Sequence, residues 1–178
     1  MDPTTNRISL CSGGGSEQFI LEFDTSSTAN PTGNMDAYGI DHDSDGNFYI
    51  CGYSDAEVSG QQVSVVWKTN KTGTSVEWTK QYDYSGHSDI MESVKVNKNE
   101  SGEPVYVSGT SGNFVTYTTG SYADAQLNKY TSSGTTTWRT AWGGGGYDTW
   151  SGFDFDSSNN VYLTGTNYPW QSGIALVK

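Results

Sequence analysis

The chain has 178 residues and a formal net charge of −11, from 20 acidic against 9 basic side chains. Such an acidic balance argues against a phosphate backbone or an anionic lipid surface as partner, so no nucleic acid is expected, and no stretch approaches the length needed for membrane insertion. Hydrophobic residues make up only 33% and charged ones 16%, yet 13% are aromatic and 22 are glycine; that excludes a charge-rich disordered chain and points to short strands joined by tight turns.

Residues 1–35 read as an N-terminal segment with one orphan strand, Phe19-Ile20-Leu21-Glu22-Phe23. The segment opens without the basic and apolar regions of a secretory signal. From residue 36 onward the chain repeats itself, and such self-similarity has to be recognised before any single element is interpreted. Residues 36–52 (DAYGIDHDSDGNFYICG), 89–109 (DIMESVKVNKNESGEPVYVSG) and 148–165 (DTWSGFDFDSSNNVYLTG) align. Their closing glycines are 57 and 56 residues apart, from 52 to 109 and from 109 to 165.

Each of these segments predicts an antiparallel hairpin. A strand carrying Ile40, Val94 and Val96, or Phe153 and Phe155 runs into a polar turn, at residues 43–47, 97–103 and 156–160. The second strand is Phe48-Tyr49-Ile50, Val105-Tyr106-Val107 or Val161-Tyr162-Leu163, apolar on both faces and so suited to burial between neighbouring sheets. Gly52, Gly109 and Gly165 are expected to end these strands. Cys51 stands where the other copies have Ser108 and Thr164, and reads as a small residue tolerated in a core rather than half of a bridge to Cys11.

A second pair of strands follows each hairpin. Val65-Val66-Trp67-Lys68 leads through Gly73 to Trp78, and Gln126-Leu127-Asn128-Lys129 leads through Gly134 to Trp138. Four residues beyond each Trp stands another aromatic, Tyr82 or Trp142. The third copy reaches Ile174-Ala175-Leu176-Val177-Lys178, a third strand without a fourth, and the orphan strand Phe19 to Phe23 reads as a copy of that third strand. The units are therefore 36–82, 89–142 and 148–178.

The combination of an apolar-Asp-x-Asp strand, a Ser/Asp-Gly/Asn-Asn turn, an apolar-Tyr-apolar-x-Gly strand, a strand ending in Lys, and Ser-Gly-x-x-x-Trp resembles β-propeller repeats of bacterial surface proteins. It is similar also to repeats in structural proteins of bacteriophages. The resemblance spans residues 36–178 and is clearest at 152–165 and 129–138. It implies an all-β fold of about three four-stranded antiparallel blades, a ring that this chain alone does not close. The second copy departs from the pattern, with an insertion at 98–104 and Lys95 where the others carry Asp41 and Asp154.

Candidate chemistry is sparse. Asp41-His42-Asp43-Ser44-Asp45-Gly46 alternates carboxylates around a glycine turn, the arrangement a calcium ion needs, with Asp41, Asp43 and Asp45 as ligands. The twelfth position of such a loop is Gly52 rather than Glu, and Asp, Asn, Ser and Gly are also the ordinary residues of hairpin turns, the reading preferred here. Tyr49, Tyr106, Tyr162, Trp78 and Trp138 recur at equivalent positions and are assigned to the core. Tyr168 and Trp170 have no counterpart in the other copies and are the better candidates for stacking against a ligand such as a sugar ring. Gly86-His87-Ser88-Asp89 sets Ser, His and Asp side by side, but consecutive loop residues do not make a relay. The pair Asp154 and Asp156 matches a repeat feature, Asp41 and Asp43, rather than a glycosidase.

The functional expectation is a non-enzymatic structural or binding protein without an obligatory cofactor. A bacteriophage virion component, a decoration, fibre or tail-associated protein at the virion surface, fits best, with other copies of itself or other virion proteins as partners. The alternative is a secreted, extracellular adhesin or lectin-like propeller fragment binding surface glycans. Unfilled sheet edges and apolar faces at both ends of the array are expected to drive self-association.

Overall fold

In the computed structural model, the described residues are 7–11, 17–22, 35–55, 62–82, 88–112, 123–143, 146–167 and 173–177. Thirteen strands are found among them and no helix. β1 (Arg7–Cys11) pairs antiparallel with β2 (Glu17–Glu22) in a two-stranded sheet. β3 (Met35–His42), β4 (Phe48–Ser54), β5 (Val63–Thr69) and β6 (Val76–Tyr82) form the first four-stranded sheet, in chain order. β7 (Ile90–Val96), β8 (Val105–Gly112), β9 (Ala123–Tyr130) and β10 (Thr136–Trp142) form the middle one in the same way. β11 (Thr149–Phe155), β12 (Val161–Asn167) and β13 (Gly173–Val177) make a third sheet of three strands.

All three expected hairpins are present, and they share an irregularity the sequence does not announce. The register slips between Ala37 and Gly39 in β3, between Met91 and Ser93 in β7, and between Trp150 and Gly152 in β11. The residue just before each slip lies opposite Gly52, Gly109 or Gly165. A Cβ at these glycines would overlap the carbonyl oxygen of Asp36, Ile90 or Thr149. The bulge brings that carbonyl against the facing strand, and only a residue without a side chain leaves room for it. The glycines therefore do not end their strands as expected. β4, β8 and β12 run on past them to Ser54, Gly112 and Asn167.

Two apolar layers join the sheets. Tyr49, Cys51 and Val66 of the first sheet meet Met91, Val94, Val96, Val105, Val107 and Tyr130 of the middle one. Tyr106, Ala125 and Leu127 then meet Trp150, Phe153 and Leu163 of the third. Alternation along β8 explains how one strand serves both: Val105 and Val107 point back, Tyr106 points forward. Each such side chain contributes about 1.5–3 kcal/mol on burial. Cys51 is free and buried in the first layer, and burial pushes its thiol well above the usual range. Equivalent backbone bonds also stitch sheet to sheet, Asp89 N–H to Gln62 O and Asp148 N–H to Ala123 O, both 2.7 Å.

Three expectations change. The N-terminal segment holds two strands paired with each other rather than one orphan. Trp138 is not in the core: it is 38% exposed, while Trp78 is half-buried. The outer apolar face of the first sheet is also not exposed as expected. Ile50, Val65 and Trp67, on the far face of the first sheet, are only 2, 1 and 4% exposed, with Met35 packed against them.

Candidate functional site

The carboxylates of the turn at 43–47 hold the hairpin together. Asp43 Oδ1 accepts from the Asn47 backbone N–H at 2.8 Å, and Oδ2 accepts from the Asn47 side-chain amide at 2.9 Å and the Tyr49 hydroxyl at 3.1 Å. Lys68 Nζ lies 3.9 Å from the same oxygen. Burial alone would raise the Asp43 carboxyl, but the Asn47 donors, the Tyr49 hydroxyl and Lys68 outweigh it and hold the group below its usual range. The third hairpin repeats the arrangement. Asp156 accepts from Asn160 N–H, Asn160 Nδ2 and Tyr162 OH at 2.9, 2.7 and 3.0 Å. The Asn160 side chain and backbone N–H lower its carboxyl to about 2.

The middle hairpin reaches the same end with different residues. Asn97 replaces the Asp and is neutral, so the carboxylate comes from the longer turn. Glu100 Oε2 accepts from Tyr106 OH at 3.0 Å, and Oε1 from Lys129 Nζ at 2.6 Å. Tyr106 and Lys129 are the counterparts of Tyr49 and Lys68. The insertion at 98–104 thus re-supplies the acceptor that the Asp-to-Asn change removes. A scan for the Asp alone misses it; the retained Tyr and Lys are the signal that a carboxylate must be nearby.

Asp41 does not share a site with Asp43. Its Oδ1 accepts from His42 N–H and its Oδ2 from Val96 N–H of the neighbouring sheet, both at 2.8 Å. Among the described residues no group of three or more His, Cys, Asp or Glu side chains is placed to hold a metal, and Asp45 joins no such group. The first strands of the three sheets, β3, β7 and β11, converge here on a groove of about 370 Å³ lined by Ile40, Asp41, Lys95, Lys98, Asp154 and Phe155. Lys95, the odd residue of its repeat position, bonds Asp154 Oδ1 at 2.8 Å and lowers that carboxyl, aided by the Phe155 N–H. Asp154 and Asp156 thus serve separate partners. Of the Gly86–Asp89 run, Asp89 is fully buried and accepts from Gly112 N–H at 3.0 Å, and His87 lies outside the described residues, as do Tyr168 and Trp170.

A third region is apolar. Trp138, Trp142 and Tyr147 are 38, 55 and 66% exposed, along the outer strand of the middle sheet and just beyond it. Trp138 packs edge-on to Tyr106 on its own sheet at 5.9 Å, and none of the described residues covers it as Ser132 and Gly134 cover Trp78. Sequence reasoning missed this surface because it counts Trp138 with Trp78 as one repeat position. No protein-family model matches this chain, and no curated protein matches its sequence.

Proposed function

We propose that this protein is a non-enzymatic assembly module built of propeller-like blades, and that it serves as a bacteriophage virion component, a decoration, fibre or tail-associated protein. The observation that carries the reading is the exposed aromatic edge formed by Trp138, Trp142 and Tyr147. Three exposed aromatics along and just beyond the outer strand of one sheet suit a contact surface on an acidic molecule, although Tyr38, Ile40 and Val76 are also exposed elsewhere. The carboxylates support the same view. Asp43, Asp156 and Glu100 are engaged by their own Tyr, Asn and Lys donors, which suits holding a turn rather than moving protons. The composition, rich in Gly, Thr, Ser and Tyr, fits a surface protein that reaches the outside through assembly. Detection of the intact chain in purified phage particles, by mass spectrometry after a density gradient, tests the assignment. Its absence from particles of a producing host, with the free protein present in the lysate, overturns the virion reading.

A further inference from the structure

The net charge is carried by one part of the chain. Residues 1–124 hold 17 acidic and 6 basic side chains and residues 125–178 hold three of each, so the whole −11 lies in the first part. From 125 to 147 there is no Asp or Glu at all. That run covers β10 and nearly all of β9, and it carries the exposed Trp138, Trp142 and Tyr147. The surface where two copies of this molecule repel each other least is therefore one that also exposes two tryptophans.

β6 and β10 end their sheets in the same way, and their sequences treat the open side differently. β6 carries Glu77 and Lys80, the kind of charged guard that keeps an edge strand from pairing. β10 carries one charge, Arg139, and it is turned inward. Its guanidinium lies 4.0 Å from the Tyr82 ring centre, and its Nε donates to Asn128 Oδ1 at 3.3 Å. Arg139 and Ala141 are half-buried, while Trp138, Thr140 and Trp142 alternate with them on the exposed face. The turn that covers Trp78, with Ser132 and Gly134, joins the third and fourth strands of the next sheet. Among the described residues the third sheet has no fourth strand, and no strand pairs with the outer side of β10.

We propose that β10 pairs antiparallel with β10 of a second copy of this chain about a two-fold axis at Thr140, joining the two middle sheets into one of eight strands. The inference rests on the assembly reading above and names the partner. In that register Trp138 lies opposite Trp142 of the partner subunit on one face, an aromatic cross-strand pair made twice. The charge distribution selects the two-fold arrangement: it keeps the acidic parts apart, whereas a head-to-tail contact sets the neutral edge against an acidic surface. The full chain should sediment as a monomer–dimer mixture between about 1 and about 100 µM, with more dimer at higher salt, which screens the acidic repulsion. Thr140→Lys sets two ammonium groups face to face at the axis and should weaken association by more than about tenfold. Circular dichroism establishes that this variant is folded. In a Cys11→Ser background, Thr140→Cys should form a disulfide-linked homodimer on oxidation, since facing Cα atoms of paired strands lie about 4.5–5.5 Å apart. Lys80→Cys, at the matching place on β6, should not. A monomer throughout that range overturns the proposal, and so does a dimer that Thr140→Lys leaves intact or that salt dissociates. Equal cross-linking of the two cysteine variants overturns it as well. Association without recovery in particles sinks the virion assignment and leaves this contact standing; recovery in particles of a chain that is monomeric in solution does the reverse.

Discussion

The two ends of the array are made from one repeat and finished differently. At the first sheet, Ile50, Val65 and Trp67 on the far face are almost wholly buried. Beyond the middle sheet, Trp138 and Trp142 stand exposed although their counterparts Trp78 and Tyr82 are packed on Tyr130, Ser132 and Gly134. The third sheet shows the same one-sidedness. Leu163 faces the middle sheet and is 6% exposed, whereas Thr164 beside it is exposed, and its counterparts Cys51 and Ser108 are fully buried. A repeat position fixes where a side chain points. Only the neighbour decides whether it is buried.

The sharpest way to break this comparison is at the bulges. Gly109→Ala drives a Cβ into the Ile90 carbonyl in the most enclosed sheet and should cost about 4 kcal/mol in urea unfolding. Gly165→Ala meets the same clash with Thr149, but at the exposed side of the third sheet the hairpin can open, so the loss should be distinctly smaller. Equal losses would mean that all three sheets are enclosed alike.

Next comes the aromatic pair. Trp78→Ala removes a packed indole and its bond to Ser132, for an expected loss of about 3 kcal/mol; Trp138→Ala should cost under about 1 kcal/mol in the monomer. Denaturation at low protein concentration measures both. A Trp138 effect as large as that of Trp78 would place a cover over it within the single chain.

The turn carboxylates come third. Asp43→Ala leaves the Tyr49 hydroxyl and Asn47 N–H without their acceptor and should cost about 2 kcal/mol. The folded-state carboxyls of Asp43 and Asp156 lie below the unfolded value of about 3.9. The stability they contribute is therefore complete above about pH 4 and lost as pH falls through the folded values, near 2 for Asp156. The urea midpoint should drop between those limits, and Asp43→Asn with Asp156→Asn should flatten the drop. An unchanged acid limb in that double variant would show that other groups carry it.

The smallest effect concerns calcium. Asp43 is occupied by N–H and O–H donors and Asp41 by two backbone N–H groups, so adding calcium or removing it with a chelator should leave the melting temperature unchanged. A heat of binding in calorimetry that Asp43→Ala abolishes would overturn the turn reading and restore Asp41, Asp43 and Asp45 as ligands.

Within each hairpin, the residues themselves determined the structure. An Asp, an Asn four residues on and a Tyr six residues on make a closed set of hydrogen bonds within one turn, so pattern suffices to place the strands at 36–52 and 148–165. The recurring glycines were visible too, but their reason was not: it lies in a carbonyl thrust forward by a bulge in the partner strand, and a bulge leaves no mark in alternation. Glu100 stands in for Asp43 by reaching Lys129, 29 positions on, through strand pairing in its own sheet. Lys95 reaching Asp154 and Asp41 capping Val96, 59 and 55 positions apart, depend on one sheet packing on another. The difference between Trp78 and Trp138 depends on it entirely. Local hydrogen bonds form wherever their short segment occurs, while burial belongs to pairs of surfaces, and the second surface is set by the tertiary structure alone.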